Sequence, residues 1–266
     1  MLTNLGLGLA IGIVLALTGA GGGILAVPAL VFGAQQSMAQ AGPVGLLAVG
    51  MAAALGAMLG LRNGTVRYRA AALISLAGMA LSPAGLWLAH RVDNRWLTGL
   101  FALVLLYVAY RTWRQAGQPA ATAEHGDAGP PPCIRSADTG RFVWTTRCAR
   151  ALALSGSIAG LLSGLLGVGG GFVMVPALRR YTDLDMKSVV ATSLAVIALV
   201  SATGVASSAL AGTVSWPVAV PFSAGALAGM LAGRMVAARL AGPYLQKGFA
   251  AVSALVAAGM IAKIVI

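Results

Sequence analysis

Gly19 with Gly21, Gly22 and Gly23, and again Gly167 with Gly169, Gly170 and Gly171, form two short glycine runs, each followed five residues later by a proline, Pro28 or Pro176. A glycine in a helix interior costs ~1 kcal/mol relative to alanine, so three in succession predict a helix break at each run. A half-helix that restarts after the break offers N–H groups without intrahelical acceptors, together with the positive end of its dipole. Two such starts brought together would bind an anion without any buried lysine or arginine, and glycine lets a ligand approach the backbone. The two prolines are expected just after the first turn of each restarted helix, where a missing donor has a modest cost. The competing reading is close helix packing by small residues, as on GxxxG faces, with no ligand contact.

Other side chains qualify the picture. Thr192 and Ser193, adjacent hydroxyls in an apolar stretch, are candidate donors to the same anion, or else they bond back to their own helix carbonyls. Arg234 is the one basic residue well inside an apolar run; it either lines the path of an anion or snorkels to the interface. Arg62, Arg67, Arg69, Arg179, Arg180 and Lys187 read as loop charges. The six acids (Asp93, Glu124, Asp127, Asp138, Asp183 and Asp185) all fall in expected loops, so none is placed to relay protons within a span. His90 ends an apolar stretch and His125 lies in a polar one. No Ser/His/Asp or Cys/His set gathers in one layer, which argues against an enzyme. Cys133 and Cys148 lack CxxC or Cys/His spacing, so no metal, cofactor or redox chemistry is expected and a structural or stray thiol is the default.

The elements that must position these residues are membrane helices. Of 266 residues, 59% are hydrophobic, 36 are glycine and 9% are charged, against roughly 25% charged in an ordinary soluble domain. Mean hydropathy is +0.88. Such an apolar excess must face lipid. The net charge of +12 comes from basic residues that collect between apolar stretches, where they orient a membrane protein, so nucleic acid is not an expected partner. No Lys or Arg precedes the first apolar stretch, and a cleaved signal is not expected. Eight stretches are legible: 5–32, 39–61, 70–89, 96–113, 151–178, 188–211, 217–240 and 245–266. Trp87, Trp96, Tyr107, Trp113, Trp216 and Tyr244 suit an interfacial aromatic belt.

The expected organisation is an N-terminal membrane repeat (1–114), a polar linker (115–147) and a C-terminal membrane repeat (148–266). A shift of 148 residues lays residues 19–30 on 167–178 with eight of twelve identical, and lays Gly64-Thr65-Val66 on Gly212-Thr213-Val214. Loop charge distinguishes parallel from inverted halves. If all eight stretches cross, the basic residues divide almost evenly. If the first and fifth turn back at their glycines, Arg91, Arg95 and Lys263 share one side and the other fifteen the opposite side. The second division is what the positive-inside rule expects. The predicted fold is therefore an all-α polytopic membrane protein with two homologous halves of four apolar segments each, an inverted repeat whose first and fifth segments are broken or re-entrant, and a cytoplasmic linker.

The duplicated Gly-x-Gly-Gly-Gly segments ending in Pro-Ala-Leu, the two Gly-Thr-Val turns and the variable central linker resemble the TauE/SafE family of sulfite and organosulfonate exporters. The resemblance covers nearly the whole chain outside the linker. It implies a bacterial inner-membrane permease for small sulfur-containing anions such as sulfite, thiosulfate or organosulfonates. Ala191-Thr192-Ser193-Leu194 departs from symmetry, because Pro43-Val44-Gly45-Leu46 occupies the equivalent place, so hydroxyl contacts at Thr192 or Ser193 have no twin. The expected partners are a small anionic substrate and the lipid bilayer, with a homo-oligomer left open. The alternatives are a permease for another small anion or solute in either direction, and a non-transporting membrane scaffold or sensor.

Overall fold

The computed structural model describes residues 1–18, 21–116, 132–133, 145–240 and 243–265. Gly19, the linker acids and the side chains of His90 and Tyr244 lie outside the described residues. Ten helices follow one another among those described: α1 (Leu2–Thr18), α2 (Gly21–Gly33), α3 (Met38–Arg62), α4 (Tyr68–Arg91), α5 (Asn94–Ala116), α6 (Thr146–Leu166), α7 (Gly171–Tyr181), α8 (Met186–Leu210), α9 (Trp216–Leu240) and α10 (Pro243–Val265). Six of them (α3, α4, α5, α6, α8 and α9) are long and apolar enough to cross a membrane, so the chain is a multi-pass membrane protein. Trp87, Trp96, Tyr107, Trp113 and Trp216 are exposed.

The first and fifth apolar stretches are each split in two at their glycines. Gly22 packs on Leu15 and Gly33 on Leu7, so α1 and α2 run antiparallel and the chain doubles back. Pro176 is the sixth residue of α7, as expected. Pro28 lies deeper, as the eighth residue of α2, because that helix restarts at Gly21 rather than after the run. Its missing N–H leaves the Ile24 carbonyl without its helical donor.

Glycines decide how the helices approach one another. Gly8 and Gly12 of α1 face the carbonyls of Phe222 and Ala226, while Gly229 and Gly233 of α9 face Leu9 and Ile13 in return; α1 and α9 are therefore parallel. The same exchange joins α6 to α4, where Gly156 meets Ile74, Gly160 meets Gly78 and Gly164 meets Ser82. At these points a methyl group would strike the neighbouring backbone, so larger residues would force the helices apart. The long helices α3 and α8 cross the centre antiparallel: a methyl on Gly56 would stand 2.8 Å from Leu194, and one on Gly204 2.9 Å from Leu46.

Caps and turns recur at the same interval as the sequence. The Ser37 hydroxyl accepts from Gln40 N–H at the start of α3, and the Asp185 carboxylate accepts from Ser188 N–H at the start of α8. After each helix, Gly64 and Gly212 adopt φ of 66° and 67°. The Thr65 and Thr213 hydroxyls then donate to the Gly60 and Ser208 carbonyls, both at 3.0 Å. The buried apolar core gathers around α2 and α3, with Ile24, Val27, Leu30, Val44 and Val49 near its centre.

Cys133 and Cys148 form a disulfide with Cα atoms 4.9 Å apart, and both are fully buried against α4, α6 and α7. The thiols are thus structural. Cys133 N–H donates to the Tyr181 carbonyl and its own carbonyl accepts from Asp183 N–H, which ties the linker to the end of α7.

Candidate functional site

The two glycine runs meet at the middle of the α3–α8 pair. A methyl on Gly23 would lie 2.8 Å from the Val168 carbonyl oxygen and 3.2 Å from Val49. One on Gly169 would lie 3.0 Å from both Ile197 and the Ser201 hydroxyl, and 3.5 Å from Val49. Val49, from α3, therefore wedges between the two runs.

The local backbone explains why glycine stands there. In the second run, α6 ends at Gly167 in the left-handed conformation, its N–H bonded to the Ser163 carbonyl at 2.9 Å, as C-terminal caps require. Gly169 and Gly170 also have positive φ, 76° and 68°, where a side chain costs ~1–2 kcal/mol. Gly170 then caps α7: its carbonyl accepts from Val173 and Met174 N–H, and Gly171 is the first helical residue. The N–H groups of Gly171 and Phe172 have no acceptor among the described residues, as expected of a helix start.

The first run is built differently. Thr18, the last residue of α1, donates its hydroxyl to the Val14 carbonyl at 2.7 Å and accepts from Gly22 N–H at 3.1 Å. One donor of the α2 start is therefore satisfied by the protein.

The remaining sequence candidates divide. Ser193 is buried with no partner for its hydroxyl, one turn from Ile197 on the face of α8 whose Ile197 and Ser201 meet Gly169. Thr192 is engaged elsewhere: its hydroxyl accepts from Arg67 N–H at 3.1 Å, which holds the start of α4 to α8. Arg234 turns inward, not to the interface; its Nη1 donates to the Gly56 carbonyl of α3 at 3.1 Å.

Sequence reasoning did not find Thr18, Val49 or Ser201. Ser201 is fully buried with its hydroxyl unpartnered beside Gly169. An unsatisfied buried hydroxyl costs ~1–3 kcal/mol, which calls for an explanation at the junction of two helix breaks. Its neighbour Gly169 is remote in the chain, so no local pattern could announce it. Thr18 did carry a signal, a hydroxyl residue directly ahead of a helix start. Beside Gly167 lies a cavity of ≈ 20 Å³ lined by Pro43, Leu46, Leu86 and Leu97 among others. That is near the size of a single water.

Known proteins resemble the chain over most of its length. The chain is 27% identical to the "Probable membrane transporter protein YunE" of Bacillus subtilis (strain 168), over 83% of this chain and 82% of that protein. It is 26% identical to a "Probable membrane transporter protein" of Xylella fastidiosa (strain Temecula1 / ATCC 700964), over 90% and 86% of the two chains. No solved structure matches it. The family described as "Sulfite exporter TauE/SafE" matches residues 4–260, and the chain belongs to that family.

Proposed function

We propose that the protein is a bacterial inner-membrane secondary permease that exports small sulfur-containing anions (sulfite, thiosulfate or organosulfonates), held at the glycine junction. Family membership makes it a transporter rather than an enzyme. The observation that carries the reading is the meeting of two helix breaks at the centre of the protein, with Gly23 against Val168 and Gly169 against the unpartnered Ser201 hydroxyl. Open N–H groups at Gly171 and Phe172 and the hydroxyls of Ser193 and Ser201 supply donors in an apolar surround, where each is worth more than in water. Thr192 has a structural role in this scheme.

The halves act as an inverted repeat. The antiparallel α3–α8 pair and the parallel α1–α9 and α4–α6 pairs support it, because equivalent helices then point in opposite directions. With the ends so arranged, fifteen basic residues fall on the linker side and three opposite, and the linker side is cytoplasmic. The disulfide is the one feature that favours an oxidising compartment. The charge bias is spread over several loops, at 62–69, 111–150, 179–187 and 239–247, and outweighs it. Arg234 lies towards the cytoplasmic end and draws anions inward. Because the cavity at Gly167 admits only water, loading needs the halves to rock apart, as in other repeat-built transporters.

Efflux from liposomes loaded with labelled sulfite, thiosulfate or sulfoacetate tests this. A membrane potential drives one charge by ~2.3 kcal/mol per 100 mV, so flux should follow the potential. It should fall in folded Gly22→Val and Gly170→Val variants and in Ser201→Ala. Wild-type protein that moves none of the three anions would refute the substrate class.

A further inference from the structure

A second, larger cavity of ≈ 220 Å³ opens at the end of the bundle away from the linker. Its polar lining is Gln36 and Ser37 at the start of α3, Asn94, Arg95 and Thr98 at the start of α5, and Lys263 at the end of α10. It is far above the ~10–15 Å³ needed to hold one water.

The charge of this lining is positive. On the proposed topology Arg91, Arg95 and Lys263 are the basic residues of this side among those described, and two of the three converge here, brought together by antiparallel packing of α5 and α10. Among the described residues that line the cavity there is no Asp or Glu side chain to neutralise them. Helices α3 and α5 begin at its wall while α2 and α10 end there, so the helix dipoles offset one another and the two cations set the sign of the cavity. The Lys263 ammonium lies 5.7 Å from the centre of the Phe32 ring, which keeps it over the bundle.

The cavity also has an inner neighbour. Met38 lines both it and the ≈ 20 Å³ cavity that Gly164 to Gly167 also line, so its flexible thioether side chain lies between the basic chamber and the approach to the glycine junction. We infer that the larger cavity is an oxyanion-binding exit vestibule: an anion leaving the junction passes Met38 and is received by Arg95 and Lys263 before release. The inference rests on the transport reading for its direction, but not for the binding itself.

Equilibrium protection separates the two. Cys133 and Cys148 are paired, so Gln36→Cys gives the full-length protein a single reactive thiol on the vestibule wall. In phosphatidylcholine nanodiscs, where both faces are accessible, sulfate should slow its labelling by a charged thiol reagent. Arg95→Gln and Lys263→Gln should each raise the half-protecting sulfate concentration about tenfold, or ~1.4 kcal/mol. Arg91→Gln should change nothing, since Arg91 stacks on Trp87 outside the cavity. Protection that ignores both substitutions, or no protection at all, overturns the site. Protection by added phosphatidylglycerol and not by sulfate would make it a lipid-headgroup seat and overturn the exit role. Intact sulfate protection in a protein that moves no anion would refute the transport reading and leave the binding site standing.

Discussion

Gly170, Gly64 and Gly212 share nearly the same backbone conformation, with φ of 68°, 66° and 67°, in different surroundings. Replacing each with alanine separates backbone strain from packing. At Gly64 and Gly212 nothing lies within 4 Å of the new methyl, so only the left-handed conformation matters, at ~1–2 kcal/mol. At Gly170 the methyl would stand 2.6 Å from the Ala159 carbonyl oxygen and 3.1 Å from the Ala159 Cβ, so α6 must move. Overpacking of that kind adds ~1–3 kcal/mol. Gly170→Ala should therefore cost about 2–5 kcal/mol, against ~1–2 for either control. Unfolding by sodium dodecyl sulfate in mixed micelles measures stability, and efflux from liposomes measures function under conditions where all three variants are folded. The controls should transport normally and Gly170→Ala should lose flux. Equal losses of stability in all three would refute the packing of the second glycine run against α6. The expected extra loss with unchanged flux would instead show that the junction is not the route.

Other perturbations test separate contacts. Thr18→Val removes the hydroxyl that accepts from Gly22 N–H and should cost ~1 kcal/mol in the same unfolding assay, the usual value of a lost helix cap. Arg234→Met should lower efflux at low internal anion concentration and cost ~1.5–3 kcal/mol through the lost charged hydrogen bond to Gly56, whereas Arg234→Lys should retain more of the flux. Cys133→Ser should lower stability by ~3 kcal/mol for a closed segment of this length; in the wild type, mass spectrometry should find alkylation only after reduction.

Much of the helical layout was legible because apolar length and glycine runs act locally. The splits of the first and fifth stretches follow from consecutive glycines, and the turns at Gly64 and Gly212 follow from the need for positive φ. The site was legible only in part. Glycine identity reports that something approaches closely, without saying what; for Gly22 it is Leu15 of the same hairpin, and for Gly23 the Val168 carbonyl of the other run. Thr192 and Ser193 are adjacent in sequence and equally apolar in context, yet a helix sends neighbouring side chains about a quarter turn apart. One meets Arg67 and the other the face leading to Ser201. Arg234 was ambiguous because snorkelling and inward bonding use the same side chain; the carbonyl of Gly56, exposed by the absence of a Cβ, is what draws it inward.

On the proposed reading, departures from the duplicated pattern are where such a transporter would acquire direction. The 148-residue shift superimposes Gly56 on Gly204 and Leu46 on Leu194, and each glycine receives the other half's leucine, so the central packing is the same read from either end. Leu86 and Arg234 occupy equivalent places with opposite character: Leu86 lines the small apolar cavity beside Gly167, while Arg234 brings a guanidinium to Gly56. Ser201 is matched by Ala53, and Thr18 by Leu166, so the hydroxyls at the two breaks are also unequal. A symmetric scaffold lets either face open at similar energy. On the proposed transport reading, a charge on one approach and an apolar constriction followed by two cations on the other would make the two faces bind an anion differently, and only such a difference in affinity can bias the halves between their positions.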